Sequence, residues 1–131
     1  MDNGPLVKEE IDSGTILAQA FDNYAPLKAA FWLRASDEEQ RYLYLTSDSI
    51  DDTNFDLAYG EVGRLLRELH LPDLDSMRIK VVGGTNPLAE AAAKLAKRYP
   101  SSTGRRFGSC TFGDMFVNDG YVYPQLLPVA A

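Results

Sequence analysis

The chain has 131 residues, of which 45% are hydrophobic and 24% are charged, and its net charge is −6. A chain of this length and composition forms one domain with a buried core, which excludes disorder throughout. Cys110 is the only cysteine, which excludes an intrachain disulfide, and no apolar stretch reaches the roughly 18 residues of a membrane span. Because no basic segment followed by an apolar run opens the chain, we expect no signal peptide and predict a cytoplasmic protein without membrane contact.

The net charge hides an asymmetry along the chain. Residues 1–76 carry 6 basic and 16 acidic side chains, whereas residues 77–131 carry 7 basic and 3 acidic ones. The first part therefore has a net charge of −10 and the second a net charge of +4. Either the two parts attract each other within one fold, or the basic part presents a directional electrostatic surface to a partner.

The first elements in chain order are a tail, a helix and a hairpin. Residues 1–12 are polar, which predicts a disordered tail, and a helix is expected from Ser13 to about Asn23, before Pro26. Two strand-like runs, 29–35 and 41–46, then flank a polar connection, which is typical of a β-hairpin. Alternation along each strand is expected to place Phe31, Leu33, Leu43 and Leu45 on one face, and Trp32, Arg34, Tyr42 and Tyr44 on the other.

Two longer helices follow, with a strand between them. Apolar side chains at helical spacing predict a helix from about Thr53 to Leu69, with His70 at its end. A strand is expected over 77–82, and a second helix begins at Pro87 and runs to about Arg98.

The last part of the domain reads as two weak strands, near 109–117 and 121–123, joined by a tight turn at Asn118, Asp119 and Gly120. This order predicts a single α+β domain over residues 13–124, with a mixed four- to five-stranded sheet and helices mainly on one face. A right-handed crossover is expected after the strand at Met77, and residues 125–131 form a C-terminal tail.

Side chains for catalysis or metal binding are scarce. A nucleophile would need Cys110 to meet the single histidine, His70, and two such residues cannot supply a zinc site alone. The carboxylates of Asp48, Asp51, Asp52 and Asp56 lack the spacing of an EF-hand, and helix capping is the alternative explanation for Asp51 and Asp52. We therefore predict no enzyme, no metal and no cofactor.

The turn between the third strand and the last helix is a candidate anion site. Gly83, Gly84, Thr85 and Asn86 offer free backbone amides that can hold a phosphate or a carboxylate. Neither the Walker pattern nor GxGxxG is present, so a plain connecting turn is the alternative.

Two groups of side chains predict a partner-binding surface. The basic group is Lys94, Lys97, Arg98, Arg105 and Arg106, which come together if the loop after the helix folds back over the helix end. The aromatic group is Trp32, Arg34, Tyr42, Tyr44 and Lys80, on the sheet face that we expect to be uncovered. The alternatives are that the cations complement a helix dipole, and that the chain's own ends cover the rings.

The leading hypothesis is a non-enzymatic protein-interaction module, a small subunit or regulator that binds a protein partner or itself through this aromatic and basic surface. The alternative is binding of single-stranded nucleic acid or of a phosphate ligand through Trp32, Tyr42, Tyr44 and the basic group. The acidic total charge disfavours nucleic acid.

Two segments, KVVGGTNPLAEAAAKLAKRYP and RRFGSCTFGDMFVNDGYVYP, resemble a family of short uncharacterised bacterial proteins. In that family a strand and a Pro-Leu helix end in Arg-Tyr-Pro, and a Gly-rich segment closes on Tyr-Ile-Tyr-Pro. The matching positions are Asn86, Pro87, Leu88, Arg98, Tyr99, Pro100, Arg106, Gly108, Gly113, Tyr121, Tyr123 and Pro124, and Val122 stands where isoleucine is expected. The resemblance covers roughly residues 30–124 and implies no assigned activity, so it transfers no catalytic residue.

Overall fold

The structure, a computed structural model, describes residues 8–38, 40–71, 73–98 and 104–124. Its helices are α1 (Lys8–Tyr24), α2 (Phe55–Leu69) and α3 (Pro87–Arg98), and a 3₁₀ turn spans Ser76–Arg78. Its strands are β1 (Ala29–Ala35), β2 (Tyr42–Ser47), β3 (Ile79–Gly83), β4 (Arg105–Phe107), β5 (Cys110–Phe112) and β6 (Met115–Val122). The predicted α+β class with a mixed sheet is confirmed. No helix within these residues is both long and apolar enough to traverse a membrane.

The strands form one sheet in the order β3-β2-β1-β6-β4, and β5 also pairs with β6. Only β2 and β3 are parallel among these pairs, and α2 connects them. The crossover therefore runs through α2, and the predicted crossover after the strand at Met77 is wrong. The chain instead leaves α3 into the short strand β4, which lies antiparallel to β6 at the far edge of the sheet.

Cross-strand pairing decides which side chains share a face of the sheet. Phe31 lies opposite Tyr44, and Trp32 lies opposite Leu43. Tyr44 therefore shares a face with Phe31, whereas Trp32 shares the other face with Leu43. The predicted grouping of Trp32 with Tyr42 and Tyr44 is wrong, because alternation within each strand does not set the register between strands.

Each face of the sheet carries its own hydrophobic core. Helices α1 and α2 cover the face of Trp32 and Leu43, with Phe21 and Val62 among the buried side chains that they contribute. Helix α3 covers the face of Phe31 and contributes residues such as Leu88 and Ala92 to that core. Two of the three helices therefore lie on one face and the third lies on the other, so the expectation of an uncovered sheet face is wrong.

The ends of two elements differ from the predicted ones. Helix α1 begins at Lys8, before the predicted cap at Ser13, and residues 1–7 and 125–131 lie outside the described residues. The predicted turn at Asn118 is wrong, because β6 runs through it. Arg34 lies opposite Asp119 and Ala35 opposite Val117, so Asn118 is the extra residue of a β-bulge.

The turn that closes the last hairpin lies earlier, between β5 and β6. Gly113 occupies it with a φ of 62°, a conformation that favours glycine. Its backbone also approaches the carbonyl group of Pro87 at the start of α3, so a side chain at this position would meet both the strained φ and that backbone.

Candidate interaction surfaces

Trp32 lies buried beneath α1, with 2% of its surface exposed. Its indole Nε1 donates a hydrogen bond to the Tyr123 hydroxyl at 2.9 Å, and that hydroxyl donates to the Ile11 carbonyl at 2.8 Å. The same hydroxyl oxygen occupies the place that a Cβ atom would take at Gly14 of α1. The expectation that a partner reaches Trp32 is therefore wrong, and this ring cannot stack on a nucleic-acid base.

The two tyrosines of β2 lie on the face that α3 covers. Tyr44 is 4% exposed, and burial raises the pKa of its hydroxyl above the usual value. Tyr42 is half-buried, with the Lys80 Nζ 4.2 Å from its ring centroid and 3.9 Å from a Glu38 carboxylate oxygen. Of the predicted aromatic group, Trp32 and Tyr44 are buried, whereas Tyr42, Lys80 and Arg34 keep a partly accessible surface.

Arg34 is held in an ion-pair network at the bulge. Its Nη2 lies 3.0 Å from Asp119 Oδ2, and Arg41 Nε lies 2.9 Å from Asp119 Oδ1. Partial burial opposes ionisation of Asp119, but hydrogen bonds from Arg41 and Arg34 outweigh it and lower the pKa of the carboxyl group. Arg34 therefore links β1 to β6 through Asp119. This geometry favours a structural role for Arg34 over the predicted contact with a partner.

The predicted basic group is divided by the sheet. Lys94 and Lys97 are exposed on α3, but Arg105 pairs with Val122 and Arg106 with Tyr121, on opposite faces of β4. Arg105 therefore lies on the side of α3 and Arg106 on the side of α1, so one cluster of five cations is not formed. The side chain of Arg98 lies outside the described residues.

The candidate anion turn is occupied by the protein's own groups. A carboxylate oxygen of Asp48 takes the place of a Cβ atom at Gly84, and Lys28 Nζ donates to the Gly84 carbonyl at 2.9 Å. Asn86 caps α3, because its Oδ1 accepts a hydrogen bond from the Leu88 amide at 2.8 Å. The negative charge of Asp48 opposes binding of an anion from solution at this turn. Gly83 and the exposed Thr85 carry no positive charge to balance it.

Cys110 and His70 are held apart by the sheet. Cys110 packs on the side of α3, whereas His70 caps α2 on the opposite side. His70 has a φ of 52°, and it is the only non-glycine residue with a positive φ among those described. Within the described part of the chain, no three His, Cys, Asp or Glu side chains are grouped for a metal ion.

Two concave surfaces, both missed by sequence reasoning, are formed between elements. The first, which we call the α2 groove, has a volume of about 810 Å³ and lies between the end of α2 and the 3₁₀ turn. Its lining residues are Gly63, Leu66, Arg67, His70, Leu71, Leu74, Asp75 and Ser76. The second, which we call the α3 cavity, has a volume of about 370 Å³ and lies between α3 and the β4–β5 segment. Its lining residues are Ala91, Lys94, Leu95, Phe107, Cys110, Thr111, Phe112 and Gly113.

Exposed apolar side chains concentrate on α2 and in the 3₁₀ turn that follows it. Of the seven large hydrophobic residues that are exposed in the described ranges, four lie on α2 or in the 3₁₀ turn: Leu57, Tyr59, Leu69 and Met77. Met77 is 82% exposed and directly follows the groove residue Ser76. None of these four side chains lines the groove itself, but Leu69 directly precedes the groove residue His70.

Comparisons of this chain with protein-family models, with curated proteins and with solved structures each gave no match. The resemblance to short bacterial proteins therefore stays a prediction.

Proposed function

We propose that this protein is a non-enzymatic interaction module that binds an acidic, amphipathic helix of a protein partner in the α2 groove. The hypothesis of a protein partner is kept, and its surface moves from the buried rings to this groove. The observation that carries the proposal is a leucine-lined groove whose rim holds Arg67, an arginine that makes no ion pair with any described residue.

The floor of the groove suits the apolar face of a helix. Leu71 and Leu74 form it with 8% of each surface exposed, and Leu66 is half-buried beside them. A volume of about 810 Å³ is in the upper part of the range typical of binding clefts. Amphipathic helices are commonly bound in apolar grooves of this type, through side chains at i, i+3, i+4 and i+7.

The neighbouring sheet edge favours a helix over an added strand. β3 is the outermost strand on this side, and its Val81 amide donates to the Tyr59 hydroxyl at 3.0 Å. The Ile79 amide likewise donates to the Ser76 carbonyl. Because these two amides are already bonded, the edge offers few free groups for pairing with another strand.

The rim of the groove selects the charge of the partner. Arg64 forms ion pairs with Glu61 and Glu68, and its Nη1 lies 2.8 Å from Glu68 Oε2. Arg67, in contrast, makes no ion pair with any described residue. A glutamate on the bound helix supplies that missing pair. Exposed ion pairs contribute only about 0.2–1 kcal/mol, so Arg67 sets the orientation of the helix. Burial of the partner's leucines supplies most of the affinity, because Leu71 and Leu74 are already buried in this chain.

Of the two glycines of α2, Gly63 is placed for close approach of a partner and Gly60 is not. A Cβ atom at Gly60 would meet no heavy atom within 4 Å, and one at Gly63 would meet only an Arg67 nitrogen at 3.6 Å. Packing within the chain therefore requires glycine at neither position, although each costs about 1 kcal/mol relative to alanine. Gly63 lines the groove, where a missing side chain lets another backbone come close, and Gly60 does not.

This difference supplies a matched pair of variants, Gly63→Phe and Gly60→Phe. The probe is a synthetic helix with leucines on one face and glutamates beside them, and its binding is measured by fluorescence anisotropy. We expect the probe to bind the unmodified protein and the Gly60→Phe variant, and to lose at least tenfold in affinity for Gly63→Phe. The charge-reversed probe with lysines should prefer the Arg67→Glu variant.

Three results would contradict the proposal. The first is no binding of the acidic probe, and the second is equal loss in the two phenylalanine variants. The third is a dimer, seen by light scattering, that Gly63→Phe dissociates, because the occupant of the groove would then be a second copy of this chain. A photoreactive residue at position 63, with position 60 as the control, identifies the natural partner.

A further inference from the structure

We propose that the α3 cavity binds a small amphiphilic carboxylate, with its apolar part against the stacked rings of Phe107 and Phe112 and its carboxylate at Lys94. The cavity lies on the opposite side of the sheet from the α2 groove, so this inference is independent of the proposed function. Its volume of about 370 Å³ is near the lower end of the range for ligand sites, which suits one aromatic ring or a short acyl chain.

The apolar wall of the cavity is preformed. The rings of Phe107 and Phe112 are stacked, with centroids 5.1 Å apart and planes 8° from parallel. Phe112 packs in turn against Phe31 of β1, with ring centroids 5.7 Å apart. The Phe107 ring also covers Gly120, where it fills the place that a side chain would take. Because these contacts fix both rings before binding, little ordering cost opposes an apolar ligand.

A single charge stands at the edge of this apolar surface. Lys94 is the only charged residue among the described residues that line the cavity, and it is exposed. It makes no ion pair with any described residue, in contrast to Lys28, whose Nζ lies 3.0 Å from Glu90. One lysine ammonium neutralises one negative charge and offers no bidentate geometry, which favours a monoanionic carboxylate over a phosphate dianion.

The cavity contains its own reporter of occupancy. Cys110 lines it, is half-buried, and is the only cysteine of the chain. A ligand that fills the cavity covers this thiol and slows its reaction with a neutral reagent such as iodoacetamide. The extent of alkylation, measured by intact-protein mass spectrometry, therefore reads out binding at this site alone.

The experiment compares octanoate with octan-1-ol, below the concentration at which either aggregates. We expect octanoate to slow Cys110 alkylation at least tenfold at saturation, and octan-1-ol to require a higher concentration. Lys94→Gln should raise about fivefold the octanoate concentration that gives half-maximal protection of Cys110. This factor is the loss of affinity expected when one partly exposed ion pair is removed. Lys97→Gln is the matched control, because Lys97 is also an exposed lysine of α3 but does not line the cavity, and it should leave protection unchanged.

A second variant tests the position of the apolar part. Ala91→Leu places extra carbon atoms in the cavity, and it should remove protection by octanoate while calorimetry detects no binding. Circular dichroism confirms that the variant is folded. Absence of protection by octanoate would overturn the proposal, as would equal protection by octan-1-ol together with no effect of Lys94→Gln.

Discussion

The buried hydrogen-bond chain beneath α1 allows a quantitative prediction. Replacing Tyr123 by phenylalanine removes the hydroxyl that accepts from Trp32 Nε1 and donates to the Ile11 carbonyl. A buried polar group left without a partner costs about 1–3 kcal/mol, and Trp32 Nε1 is such a group here. Because the Ile11 carbonyl keeps a hydrogen bond from the Thr15 hydroxyl at 3.0 Å, we expect Tyr123→Phe to lower the free energy of unfolding by about 1–3 kcal/mol.

Urea denaturation followed by the fluorescence of Trp32, the chain's single tryptophan, measures this loss. Burial raises the pKa of Tyr123, so its hydroxyl stays protonated in the fold while the unfolded tyrosine ionises near pH 10. The contribution of Tyr123 is therefore fully present below about pH 10 and is lost as the pH rises above that value. The Tyr123→Phe variant should lose less stability at alkaline pH than the parent protein. It should still lose some, because the pKa of Tyr44 is also raised.

Gly14 supplies the internal control for this prediction. A Cβ atom at Gly14 would overlap the Tyr123 hydroxyl and lie 3.3 Å from Trp32 Nε1. Gly14→Ala should therefore destabilise the protein, although alanine favours a helix by about 1 kcal/mol over glycine. Removing the hydroxyl relieves the overlap, so the double variant Gly14→Ala, Tyr123→Phe should lose less than the sum of the two single losses. The reasoning would be refuted if Gly14→Ala stabilised the protein. It would also be refuted if Tyr123→Phe changed the free energy of unfolding by less than about 0.5 kcal/mol, which is usual for surface substitutions.

Three further changes test other parts of the fold. Asp119→Asn should lower the free energy of unfolding by about 2 kcal/mol at pH 7, since two arginines lose their carboxylate partner. Because the pKa of Asp119 is lowered in the fold, unfolding of the parent protein at different pH values should show this contribution lost as the pH falls below about 4. Gly60→Ala and Gly63→Ala should each raise thermal stability by about 1 kcal/mol, and a loss at either position would mean that the glycine has a packing role. His70→Gly should stabilise by about 0.5–1 kcal/mol because glycine accepts the left-handed φ, and an equal gain from His70→Ala would contradict that cause.

The properties that depend on local sequence were predicted well. Helix α3 has the predicted bounds, because Asn86 caps its first turn and Pro87 suits its first position. The α+β class follows in the same way, since apolar periodicity distinguishes helices from strands within about ten residues. The exposure of Lys94 and Lys97 also agrees with their places on the polar side of an amphipathic helix.

The properties that depend on pairing between distant segments were not predictable from one sequence. Register between β1 and β2 placed Trp32 and Tyr44 on opposite faces, and helices cover both faces where one was expected to be open. The strong turn signal at Asn118 became a bulge, since pairing of β6 with β1 outweighed the local preference. The α2 groove lies between α2 and the 3₁₀ turn that follows it, and the α3 cavity lies between α3 and the β4–β5 segment, so their shapes depend on how whole elements pack. Side-chain alternation and periodicity act over a few residues, whereas the faces and the concave surfaces follow from contacts that form only when the sheet and its helices assemble.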